Sequence, residues 1–193
     1  MKRILAISLL FTFSCAGRVT NTAPPGQALN NSVAIFTPSG SGHGCPVNGN
    51  IFTAAHVMGK HQGANWSDQN QNSGKASLFG FSRTSDIARL VVERGTVESL
   101  KLSKKLRPGD RVYWFEYNWS SRVKALSEKF RTAKVLRTVA NHLILSQSPI
   151  PGASGGCLFA EDGGVAGIVI WGMTLKNKEK VGVAAILFPE DVK

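Results

Sequence analysis

Three short stretches of the chain carry side chains able to do chemistry. Thr53-Ala54-Ala55-His56-Val57 sets a histidine directly after an apolar run, among small residues. Ser85-Asp86-Ile87-Ala88-Arg89-Leu90 sets an acid at the mouth of a second run, and Pro151-Gly152-Ala153-Ser154-Gly155-Gly156 surrounds a serine with glycines. Taken singly, each has an everyday explanation: a structural histidine, an aspartate bonded to nearby backbone in a turn, a glycine-rich loop. The serine segment says most, because its glycines let backbone N–H groups crowd together and leave the hydroxyl exposed on a tight turn. A serine hydroxyl is a poor nucleophile at neutral pH and needs a base whose pKa lies near the working pH, a task that suits histidine. A carboxylate on the far side of the imidazole would fix its tautomer.

The elements that must position these groups read as strands. From Ser32 onward, short apolar runs alternate with turn residues: Val33 to Phe36, Ile51 to Thr53, Ala76 to Phe81, Ile87 to Val92, Arg111 to Phe115, Lys134 to Val139 and His142 to Leu145. The last quarter adds Cys157 to Phe159, Val165 to Trp171 and Val181 to Phe188, with Asp162-Gly163-Gly164 as a hairpin turn between the first two. The only helical hint is the turn Ala54-Ala55-His56-Val57. The N/Q-rich stretch Asn65 to Asn72 reads as an exposed surface loop, and charged Glu93 to Pro108 as a link between two groups of strands. Many strands with scarcely a helix predict an all-β sandwich or barrel.

Composition agrees. The 193 residues include 20 Gly and 8 Pro, which suits tight turns, and 42% apolar residues, enough for a buried core. Lys2 and Arg3 precede an apolar stretch, Ile4 to Phe13, followed by small residues, so residues 1–16 read as an export signal. A cut after Ala16 would leave a free secreted protein; a cut before Cys15 would leave a thiol open to lipidation and a membrane tether. Residues 17–31, rich in Pro, Gly, Asn and Thr, form a linker. With 23 basic against 12 acidic residues the chain carries a formal charge of +11. The charge is scattered and no nucleic-acid motif accompanies it, so a solvated basic surface is favoured over a specific nucleic-acid site. Beyond Cys15 only Cys45 and Cys157 remain. They could form one disulfide, but a core of this size has no need of a staple, and two small buried side chains are the favoured expectation. No Cys/His spacing suggests zinc, and the isolated His43, His61 and His142 are expected to be structural or solvated.

The three polar residues occur in the order His56, Asp86, Ser154, each at a strand end, and here the chain resembles the trypsin-like serine peptidases of the chymotrypsin fold, in the style of the bacterial HtrA-like branch. Gly40-Ser41-Gly42 and Gly49 through Val57 are similar to that branch's strand and histidine loop. Asp86-Ile87-Ala88 with Leu90 resembles its aspartate motif, Pro108-Gly109-Asp110 with Val112 the opening of its second barrel, and Gly152 with Ser154-Gly155-Gly156 its nucleophile loop.

The resemblance implies two six-stranded antiparallel barrels within residues 32–193, the first over about 32–93 and the second over about 106–188, with the active site in the cleft between them. It implies an exported, cofactor-free endopeptidase, secreted or periplasmic or lipid-anchored at the envelope, acting on protein or peptide substrates. His56 would be the base, Asp86 its orienter and Ser154 the nucleophile, with the Gly152 and Ser154 amides as the oxyanion hole. Ser148 and the strand Val169-Ile170-Trp171-Gly172 would line the primary pocket. Since Ser148 is not acidic, a small or apolar residue is expected before the cut. Several features depart from the family pattern. Ala153 replaces an activation aspartate, Cys157 replaces a proline, no PDZ domain follows, and Phe115-Glu116-Tyr117-Asn118-Trp119 lacks the glycine usual at that strand exit. A catalytically idle module that binds through the same fold, and a cationic envelope or nucleic-acid-binding protein, are the competing readings.

Overall fold

The computed structural model describes residues 32–120 and 124–187; the expected leader, linker and Cys15 lie outside the described residues, as does Phe188. Six strands form the first barrel: β1 (Val33–Thr37), β2 (Gly40–Val47), β3 (Asn50–Ala54), β4 (Gly63–Ser67), β5 (Ser73–Ser82) and β6 (Ile87–Arg94). A single helical turn, α1 (Ala55–Met58), follows β3. The second barrel comprises β7 (Arg111–Ser120), β8 (Lys124–Val139), β9 (His142–Leu145), β10 (Cys157–Ala160), β11 (Val165–Thr174) and β12 (Lys180–Ile186). Both are closed and antiparallel, in the orders β1-β2-β3-β6-β5-β4 and β10-β11-β12-β9-β8-β7. Closure leaves neither sheet a free edge. Among the described residues no helix is long and apolar enough to cross a membrane.

The expected loop at Asn65 to Asn72 needs correction. Asn65 to Ser67 end β4, pairing with β1 and β5, and Trp66 is fully buried. Only Asp68 to Asn72 form a turn, closed by Asp68, whose two carboxylate oxygens accept from the Asn72 amide and side chain. Polar neighbours hid a strand whose inward side is carried by Ala64 and Trp66 in alternation. The Asp162-Gly163-Gly164 turn is a hairpin as expected, with Ala160 N–H bonded to Gly164 O and Gly163 N–H to Ala160 O.

The barrels meet through strands buried on both faces. On β7, Val112 and Trp114 pack inside the second barrel with Val135, Leu143 and Leu158, while Tyr113 and Phe115 join the core that continues into the first barrel. Phe159 of β10 stacks on Tyr113 at 5.6 Å and meets Phe115 edge-on at 6.0 Å. These strands therefore read as continuous apolar runs rather than alternating ones. Removing a ring of this size from such a seam costs about 3–5 kcal/mol.

Cys45 and Cys157 are not separate buried thiols. They form a disulfide between β2 of the first barrel and β10 of the second, with Cα atoms 4.9 Å apart. That spacing lies inside the range a bridge requires. The two residues are 112 apart in sequence, so only the docking of one barrel on the other brings them together.

Candidate active site

Strand register places the histidine beside the aspartate. The β3–β6 ladder ends with Ala54 opposite Ile87, so the next residues outward, Ala55 and Asp86, face each other across the barrel's rim. Small residues at Thr53, Ala54 and Ala55 let the chain turn directly from strand into α1, which has no side-chain cap from its own Ala54. Asp86 supplies the missing acceptors. Its carbonyl takes Ala55 N–H at 2.9 Å, its Oδ1 takes His56 N–H at 3.0 Å, and its Oδ2 lies 2.6 Å from His56 Nδ1. Asp86 sits at φ 53°, a left-handed conformation that aspartate tolerates better than most residues and that turns its carboxylate back toward the helix. A carboxylate can only accept, so Nδ1 carries the proton and Nε2 presents its lone pair. The His56 side chain is 46% exposed and that of Asp86 only 15%, which leaves the imidazole open to the cleft above a sheltered carboxylate.

The serine turn belongs to the second barrel but is seated on the first. His43 of β2 donates its N–H to Ser154 O at 2.9 Å, and Thr53 Oγ1 donates to His43 O at 2.6 Å. Gly155 N–H bonds to Val169 O and Val169 N–H to Gly156 O, which ties the turn to β11. Gly155 has φ +88°, and a β-carbon there would stand 2.0 Å from His43 O and 2.3 Å from Thr53 Oγ1. No other residue fits. Gly42 is the thin spacer between the two halves: a β-carbon on it would lie 2.7 Å from a Val57 methyl and 3.1 Å from Ser154 O. Gly42 thus lies between Val57, the residue that follows His56, and the main chain of Ser154. Ser154 Oγ donates to Ile170 O at 2.6 Å, so its proton is directed at β11 and not at the imidazole.

Ser148 and β11 also meet. A β-carbon at Gly172 would stand 1.9 Å from Ser148 Oγ, and one at Gly182, its β12 partner, would stand 2.4 Å from Gln147 O. The slot between segment 147–149 and these strands is therefore narrow. Trp171 is half-exposed at its edge, whereas Val169 and Ile170 are fully buried. Val169 packs in the second barrel's core and reaches the turn only through its main chain.

Two groups at this site escaped the sequence reasoning in different ways. His43 is fully buried directly under the serine turn, and burial lowers its pKa to about 4, so it is neutral at physiological pH. Glu116 is 2% exposed and accepts three hydrogen bonds at the foot of the serine turn. An acid directly after the apolar run Val112 to Phe115 is the signal that marks Glu116; nothing in its spacing marks His43. Among the described residues no group of three His, Cys, Asp or Glu gathers to hold a metal.

The family profile described as a trypsin-like peptidase domain matches residues 40–168. A search of curated proteins finds no match. Among solved structures, the fold is similar to a human pathogenic astrovirus serine protease, with TM-score 0.67, 22% identity, and coverage of 84% of this chain and 93% of that one. It is also similar to a serine endoprotease from Yersinia pestis, with TM-score 0.67 and 21% identity over 82% of this chain and 59% of that one. An inactive serine-to-alanine mutant of Rv3671c from Mycobacterium tuberculosis gives TM-score 0.63 and 16% identity, covering 85% and 89%.

Proposed function

The chain belongs to the trypsin-like peptidase domain family and is a serine endopeptidase, and from that premise we propose that His56, Asp86 and Ser154 carry its chemistry. The observation that supports this assignment most is the 2.6 Å contact between His56 Nδ1 and Asp86 Oδ2. Rotation of the Ser154 side chain about its first torsion would release the hydroxyl from Ile170 O. Nε2 of His56 takes the hydroxyl proton as Ser154 Oγ bonds to the substrate's carbonyl carbon. The imidazolium, stabilised by Asp86, then gives that proton to the amine nitrogen as the C–N bond breaks, leaving an ester on Ser154. Water repeats the sequence through the same base and releases the acid. The Gly152 and Ser154 amides are the assigned donors to the oxyanion, each worth about 3 kcal/mol of transition-state stabilisation.

The close approach of Gly172 to Ser148 favours a small side chain before the cut, and Ser148 itself offers no carboxylate. The leader at 1–16 supports export, with Cys15 as an alternative lipid tether. A peptide library digested by wild type, Ser154→Ala and His56→Ala tests the reading. Cleavage after Ala, Gly or Ser by the wild type alone is expected. Cleavage that persists in Ser154→Ala would overturn it, and a folded wild type that binds peptides without cutting them would favour the idle module.

A further inference from the structure

Glu116 is a buried acid that the proposed triad does not use. It lies within β7, directly after the apolar Val112, Tyr113, Trp114 and Phe115. A buried carboxylate is tolerated only when its oxygens are satisfied. Oε1 accepts Trp114 Nε1–H at 3.2 Å and Ile150 N–H at 3.1 Å, and Oε2 accepts Arg131 Nε–H at 2.8 Å. Trp114 is buried in the second barrel, whereas the Arg131 side chain is 46% exposed and keeps its charge partly in water. Two of the three donors are thus anchored to β7 and β8. The third belongs to the loop.

What Ile150 does next gives the contact its consequence. Its carbonyl accepts Ala153 N–H at 3.2 Å, closing the four-residue turn Ile150-Pro151-Gly152-Ala153. Gly152 has φ +95°, and proline before a positive-φ glycine is the pattern of a type II turn. Types I and II differ by a flip of the central peptide, the one that carries the Gly152 N–H. The direction of the proposed oxyanion donor is therefore a property of turn type, and Glu116 holds the residue at which that turn begins.

We propose that Glu116, braced by Arg131, is a positioning residue that locks the Ile150–Ala153 turn in the form presenting the Gly152 amide to the developing oxyanion. This inference rests on the peptidase reading. Glu116 touches no substrate in this scheme; it acts through Ile150.

The test uses Glu116→Leu, Glu116→Gln and the pair Glu116→Gln/Arg131→Gln, with kcat and KM measured on a cleaved peptide and normalised to folded protein. Glu116→Leu removes the acceptor and is expected to lower kcat and kcat/KM together by roughly 10- to 100-fold with KM nearly unchanged, the size of loss expected from misplacing a group by about an ångström. Glu116→Gln keeps an acceptor for Ile150 but turns an amide donor toward Arg131, and the pair relieves that clash, so activity should fall in the first and recover in the second. A lowered melting temperature with kcat intact, a loss carried by KM alone, or no recovery in the pair would overturn the proposal. The Gly152 amide resonance in 15N-labelled protein tests the lock without turnover: it should move in Glu116→Leu, and an unmoved resonance overturns the lock. Inactivity of the wild type would instead remove the peptidase reading. If Glu116→Leu does not fold, the two glutamine variants decide.

Discussion

Reducing the Cys45–Cys157 bridge frees a loop of 112 residues that spans most of both barrels. In the chain-entropy treatment, closing a loop of that length removes enough freedom from the unfolded state to stabilise the fold by about 5 kcal/mol. That is comparable with the whole stability of many single domains, and at about 2–4 °C per kcal/mol for a chain of this size it amounts to a fall in Tm of about 10–20 °C. Two measurements separate the cross-link from packing. Melting the wild type with and without reductant keeps both sulfurs in place and isolates the cross-link. Cys45→Ala/Cys157→Ala also removes two fully buried sulfur atoms and should lie lower still, by about 1 kcal/mol for each. Alanine is the right replacement because serine would bury an unpartnered hydroxyl. Because Cys157 lies three residues after Ser154 and Cys45 two after His43, the reduced protein should lose activity before its barrels unfold. Wild type melting within about 3 °C of itself in reductant would refute the reasoning, since a bridge that closes so long a loop cannot be so cheap.

Other consequences can be checked one residue at a time. Gly155→Ala should cost more than about 3 kcal/mol in urea unfolding, because it combines a left-handed φ with a β-carbon 2.0 Å from a backbone oxygen; a loss below about 1 kcal/mol would contradict the seating of the serine turn on β2. His43 has a folded pKa near 4 against 6.5 unfolded, so the stability it contributes is fully present above pH 6.5 and is lost as pH falls toward 4, by about 3 kcal/mol in all. The drop in unfolding free energy between pH 7 and 4 should therefore be shallower in His43→Gln by that amount, and parallel curves would be evidence against a buried neutral imidazole. Asp86→Asn should keep the fold but lower kcat by roughly 10⁴-fold, as expected when the imidazole is left in the wrong tautomer; a loss under tenfold would remove Asp86 from the mechanism.

How much of this could be read from the residues alone depended on range. The strands around His56 and Asp86 were legible because their apolar runs and bounding turns are local, and the glycines around Ser154 announced a tight turn by composition. Trp66 was missed as a strand residue because the inward face of β4 carries only it and the small Ala64, among polar neighbours. The disulfide escaped because it depends on how two barrels dock, which no spacing of 112 residues expresses. The stretch Phe115 to Trp119 stood out as a departure from the family pattern, yet the role of Glu116 within it became visible only when β7, β8 and the serine turn shared one small volume. Its partners Trp114, Arg131 and Ile150 lie 2, 15 and 34 residues away. His43 gave no sign, since a histidine under a glycine turn and one in water look alike in a sequence.

In the proposed mechanism the hydroxyl of Ser154 becomes nucleophilic through the imidazole of His56. Reaction of the folded protein with a fluorophosphonate, followed by mass spectrometry of the peptide containing residue 154, measures that directly. The prediction is one stoichiometric adduct on Ser154, formed at a rate that collapses in His56→Ala and leaves Ser148 untouched. An unmodified Ser154 in folded protein, or labelling at the same rate without the imidazole, would contradict it.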